Sequence, residues 1–118
     1  MRNNLILAKS GPDIVFSGKD QLALEEWRFD HNWRQVQAAP ETPEFMQWVR
    51  SPDDTVKDHI DLPSLDPQNR NFLCPAKDSP LASAGVGGDL PRYVGALPPE
   101  GVEMWDWSKT WNARARRR

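Results

Sequence analysis

Cysteine is nearly missing from this sequence. Cys74 is the single one in 118 residues, which excludes an intrachain disulfide and any zinc site built on cysteines. Beside Phe72 and Leu73 it reads as a buried small hydrophobe, with no base near it at catalytic spacing. Apolar residues are scarce: 38% of the chain is hydrophobic and mean hydropathy is −0.72. A small core and marginal stability are expected. No apolar run approaches the roughly 20 residues of a membrane span. Leu5–Ala8, between Arg2 and Lys9, is too short for the apolar part of a signal peptide. As written, the chain therefore reads either as cytoplasmic or as the C-terminal piece of something longer. A strong charge of one sign is missing too. Lys and Arg number 15, Asp and Glu 17, for a formal net charge of −2. That balance implies no general attraction to nucleic acid or to an anionic membrane, and neither partner is expected.

The common catalytic signatures are absent as well. Gly85-Val86-Gly87-Gly88 lacks the lysine and the strand-to-helix context of a phosphate loop. There is no G-x-S-x-G elbow. His31 and His59 have no second histidine at metal-ligand spacing. Asp53, Asp54 and Asp58 lack the glycine turn and terminal glutamate of a calcium loop. The acidic stretch 51–66 (Asp53, Asp54, Asp58, Asp61, Asp66) reads as a solvated loop. No cofactor or metal is expected.

What the chain has is proline, glycine and tryptophan: 11, 7 and 6 residues. The first two argue against a regular helical bundle, and the third can bury large areas. Leu5–Ala8 and Ile14–Phe16 read as short strands separated by the turn cluster Ser10–Asp13. Asp20–Gln37 is ambiguous in its first half. From Trp27 to Trp33 it alternates, with Trp27, Phe29, His31 and Trp33 on one strand face. Arg28, Asp30, Asn32 and Arg34 fall on the other face, which separates Asp30 from His31. Thr42-Pro43-Glu44 is a helix start, with Thr42 as the cap. Phe45, Trp48 and Val49 then form one apolar face of a helix near 42–50. The last six residues hold four arginines and read as a disordered tail.

The stretch Asn71–Gly101 is the most distinctive. Phe72-Leu73 is apolar. Pro75 and Pro80 force bends at both ends of Ala76–Ser79, and Ser79 can bond the local backbone at that corner. Gly85, Gly87 and Gly88 allow positive φ and close crossing. Tyr93-Val94 followed by Gly95-Ala96 suits a strand that abuts another backbone. This succession (apolar strand, Ser79-Pro80-Leu81 corner, Ala84-Gly85, Gly95-Ala96) resembles the final coil of a right-handed parallel β-helix of the pectate-lyase-like kind. The likeness covers the last third closely and the first third loosely. An irregular Pro/Gly loop with two short strands is the other reading, as a short hairpin is for the first two strands.

The resemblance implies a mainly β fold made of terminal coils over 1–101, with a helical insertion near 42–50, the acidic loop 51–66 and a Trp-rich capping segment over 102–118. In that fold stacked asparagines often line the turns, and Asn3 and Asn4 are the candidates. The implied role is structural: a non-catalytic terminal portion of a coil stack in a surface or carbohydrate-associated protein. The implied partners are the remaining coils of a longer protein, a second copy through the exposed N-terminal edge, or a polysaccharide. Two alternatives stay open. The chain could belong to a carbohydrate-active lyase or hydrolase, with Glu25, Glu26 and Asp30 as candidate carboxylates. It could instead be an interaction module in which Trp27 and Trp33 stack on sugar rings.

Overall fold

The structure is a computed structural model that describes residues 1–8, 12–17, 28–36, 44, 46–49 and 51–116. The chain forms two compact units, Met1–Ile60 and Asp61–Arg118. The 101/102 boundary expected from sequence therefore falls inside the second.

Among the described residues the first unit holds five strands of three residues: β1 (Leu5–Leu7), β2 (Val15–Ser17), β3 (Trp33–Gln35), β4 (Met46–Trp48) and β5 (Thr55–Lys57). β1, β3 and β5 form a parallel sheet in that order, with Leu5, Trp33 and Thr55 side by side. The backbone bonds alternate as a parallel ladder requires. Trp33 N–H donates to the Asn4 carbonyl at 2.8 Å and Ala8 N–H to the Gln35 carbonyl at 3.1 Å. On the other side of β3, Thr55 N–H donates to Asn32 at 2.8 Å and Val36 N–H to Lys57 at 2.9 Å. β2 and β4 pair antiparallel, Phe16 opposite Gln47.

Several expectations are corrected here. Strands and helix together are a small part of the described chain, so it is not mainly β. Met46–Trp48 is strand where a helix was expected; Thr42 and Pro43 lie outside the described residues. The Phe45/Trp48/Val49 spacing signals a helix only in isolation, and pairing with β2 overrides it. The alternation through Trp33 breaks at His31, whose φ of 55° is left-handed. Strand geometry begins only at Trp33, and His31 is exposed while Asp30 is buried. Asn3, two residues before β1 as His31 is two before β3, has φ 58°. Each turns the chain into a strand of the same sheet. Asparagine tolerates this region better than most residues.

The core of the first unit mixes Phe29, Val36, Val49 and Ile60 with Asn3, Asp30, Asn32 and Arg34, all buried. So large a polar share fits the low aliphatic content, and it requires that these groups find partners.

The second unit contains no strand among its described residues. The strands expected at Phe72-Leu73 and Tyr93-Val94 are turns and bends, with Leu73 at φ 58°. Leu81, Leu90, Tyr93 and Val94 are its buried core, with Pro75 and Pro91. Pro80–Ala82 is one 3₁₀ turn capped by Ser79, whose hydroxyl accepts from Leu81 N–H at 3.2 Å. Gly85 N–H donates to Arg92 O at 2.8 Å, and Val94 N–H to Leu81 O at 2.9 Å. These contacts, rather than a ladder, tie the glycine loop down. α1 (Trp107–Ala115) reaches into the tail expected to be disordered and makes its first residues, Ala113–Ala115, helical. Asp106 caps it, accepting from Ser108 N–H at 3.0 Å. Buried Thr110 fixes it: its hydroxyl donates to Asp89 O and accepts from Trp105 Nε1 at 3.0 Å. Trp107 and Trp111 stay exposed.

Candidate functional site

Two polar clusters stand out, both in the first unit. The first is built on Arg34, the middle residue of the central strand. Its guanidinium is fully buried and forks onto Asp13, Nε to Oδ2 and Nη2 to Oδ1, both at 2.6 Å. Nη1 donates to the Val49 carbonyl at 2.7 Å and lies 3.6 Å from Asp54 Oδ2. Trp48 Nε1 donates to Asp13 Oδ1 at 2.8 Å, and its ring faces the guanidinium at 5.4 Å. Burial raises the pKa of Asp13, but the Arg34 and Trp48 hydrogen bonds outweigh it and hold the carboxyl below its ordinary value. β3 presents Arg34, β4 contributes Trp48, and Asp13 and Asp54 precede β2 and β5.

Asp54 also ends a row of side chains along the parallel sheet. Asn4, Asn32 and Asp54 each stand immediately before a strand. Asn4 donates to Asn32 Oδ1 through its backbone N–H at 3.0 Å and its Nδ2 at 2.9 Å. Asn32 repeats this onto Asp54 Oδ1 at 3.1 and 2.9 Å. Of the two expected turn asparagines, Asn4 is in the row and Asn3 is not. Asp54, expected in solvent, is fully buried; Asp53, Asp58, Asp61 and Asp66 are exposed.

The second cluster surrounds Asp30. Arg2 Nε and Arg28 Nε each reach its carboxylate at 2.7 Å, and His31 Nδ1 lies 3.2 Å from Oδ1. Strand alternation would have kept Asp30 and His31 apart; the left-handed turn at His31 brings them together. Burial opposes ionisation of Asp30, but the Arg2, Arg28 and His31 hydrogen bonds lower its pKa to about 2.

These geometries limit the chemistry. A glycosidic acid must hold a proton near neutral pH and reach its substrate. Asp30 is ionised at that pH and already held by two guanidiniums. Asp13 and Asp54 are out of reach of any polymer. Glu25, Glu26 and Trp27 lie outside the described residues. Trp33 is half-buried, with the Lys57 ammonium 5.5 Å from its ring centre. Among the described residues no three His, Cys, Asp or Glu side chains are grouped to hold a metal, and no helix is long and apolar enough to cross a membrane. In the second unit a cleft of about 270 Å³ is lined by Asn71, Cys74, Lys77 and Glu100 among others. Cys74 is half-buried there rather than buried in the core.

Sequence reading missed Asp13, Arg34, Trp48 and Asp54 as a group. The signal was faint but present: Asn4-Leu-Ile-Leu, Asn32-Trp-Arg-Gln and Asp54-Thr-Val-Lys each place one short polar residue before a three-residue strand. Comparison with protein-family models, with curated proteins and with solved structures gives no match.

Proposed function

We propose that the chain is a structural, non-catalytic terminal portion of a parallel coil stack, with Met1–Ile60 supplying the coils. The observation that carries this reading is the row Asn4–Asn32–Asp54 in register with three parallel strands. Two returns of 28 and 22 residues bring a short polar side chain (Asn4, Asn32, then Asp54) to the same place before each strand, as successive coils do. The antiparallel β2–β4 pair is then an excursion within the returns. The rungs lie in the first half of the chain, not in Asn71–Gly101 where the sequence resemblance was closest. Burial of Asp13 and Asp54 and the ionised state of Asp30 favour a scaffold over a lyase or hydrolase.

Hydrogen exchange tests the proposal. Asn32→Leu should lower amide protection in β1 and β5 together, because the central side chain couples both neighbours. Loss confined to β3 would overturn the coil reading. Incubation with an acidic polysaccharide, with and without calcium, should give no depolymerisation; turnover abolished by Asp30→Asn would replace the scaffold with an enzyme.

A further inference from the structure

The row of ladder side chains has a direction. Each bond from one ladder side chain to the next points from the earlier strand to the later one: Asn4 Nδ2 to Asn32 Oδ1, then Asn32 Nδ2 to Asp54 Oδ1; the second Asn32 Nδ2 proton goes to the Met1 backbone carbonyl at 3.1 Å. An amide side chain both accepts and donates, so it can pass the pattern on; a carboxylate only accepts. Asp54 therefore closes the row. The opposite end is open among the described residues. Asn4 gives its Nδ2 protons to Asn32 Oδ1 and the Arg2 carbonyl, while its Oδ1 accepts nothing among the described residues. Among the described residues β1 is also an edge of the sheet. Because Asn4 and Ala8 engage β3, parallel alternation turns the N–H and C=O groups of Leu5 and Leu7 away from it. Such an edge is a template for another strand.

We infer that the β1 edge is a docking edge for one kind of partner: a parallel strand preceded, in register with Asn4, by an asparagine. This rests on the coil reading and specifies its missing neighbour. The partner's side-chain amide would donate to Asn4 Oδ1, and its backbone would complete the bonds of Leu5 and Leu7. The same polarity disfavours head-to-tail stacking of two copies of this chain. There the second copy would bring Asp54 over Asn4, setting a carboxylate oxygen against an amide oxygen. The observed pattern thus selects a coil carrying an amide over a second copy stacked in this way.

The test extends the full chain at its N-terminus by one duplicated coil, residues 1–28, so that the copy of Asn4 falls over the original. A second version carries Asn4→Asp in the copy alone. Hydrogen exchange of the original Leu5 and Leu7 amides is read in both, and in the unextended chain over a range of concentrations. The asparagine version should slow exchange at Leu5 and Leu7 strongly. The aspartate version should protect them at least roughly ten-fold less, as expected for a lost side-chain bond with an acceptor facing an acceptor. Equal protection by both versions would overturn the directional inference while leaving the coil reading in place. Protection by neither would overturn the coil reading itself. Protection that rises with concentration in the unextended chain would show that a second copy occupies the edge, against the inference.

Discussion

Arg34 and Asp13 meet through two parallel 2.6 Å hydrogen bonds, with neither side chain exposed to water. Removing one partner of such a pair leaves an uncompensated buried charge, and that loss typically destabilises by about 3–5 kcal/mol. Arg34→Met should therefore lower stability by roughly that amount, since it strips both Asp13 and Asp54. Arg34→Lys should recover only part, because an ammonium cannot fork onto the carboxylate. The double variant Arg34→Met, Asp13→Asn should be less destabilised than the sum of its parts. Urea unfolding of wild type, Arg34→Met, Arg34→Lys, Asp13→Asn and the double variant measures each term. Equal stability of Arg34→Met and wild type would show that the guanidinium is not seated as described.

Asp30 sets an acid limit. Its folded pKa of about 2 lies below the ordinary carboxyl value of 3.8, so its contribution is fully present above about pH 4 and is lost as pH falls toward 2. The shift corresponds to about 2 kcal/mol. Asp30→Asn should remove this part of the acid dependence, flattening the stability profile between pH 4 and 2 relative to wild type. An unchanged slope would assign the acid sensitivity elsewhere.

Two glycines in the loop 85–88 should respond differently to alanine. A Cβ on Gly85 would stand 2.6 Å from the carbonyl oxygens of Pro91 and Tyr93. Those atoms belong to backbone beside the buried core and cannot move aside. Gly85→Ala should cost about 1–3 kcal/mol, as overpacking does. Gly88 has open space around it but a φ of 71°, so Gly88→Ala should cost about 1 kcal/mol in conformational strain alone. Thermal midpoints in the order wild type, Gly88→Ala, Gly85→Ala are expected; a reversed order would contradict the close crossing at Gly85.

α1 depends on its buried hydroxyl. Thr110→Val keeps the shape but leaves Trp105 Nε1 and the Asp89 carbonyl without the partner they share. A loss of about 1–3 kcal/mol is expected, with lower helical circular dichroism. Thr110→Ser should retain the signal.

Local chemistry was legible where it depends on near neighbours. The strand at Leu5–Leu7, the Ser79 corner and the need for glycine at 85, 87 and 88 follow from residue type alone. What was not legible depends on return. The left-handed turn at His31 cannot be read from Phe-Asp-His-Asn-Trp, and it decides which face Asp30 and Asn32 occupy. Asp13 and Arg34 are 21 residues apart, and nothing in either neighbourhood announces the other. Asp54 looked like one acid in a solvated run because its burial is imposed by Asn32 and Arg34, not by its own surroundings. Phe45, Trp48 and Val49 satisfied a helical period, yet Met46–Trp48 found a strand partner at Val15–Ser17.

The unequal returns between the strands of the parallel sheet, 28 and 22 residues, have a consequence for how such a chain can change. Register is held by one polar residue and three paired positions per strand. The two intervening segments have different lengths and still bring their strands into one register. Insertions and deletions should not be tolerated where those segments carry Asp13, β2, Phe29, Asp30, β4 or Val49, which are buried or paired. A change of one residue between Asn32 and Gln35 should not be tolerated, because every side chain beyond it would turn to the other face.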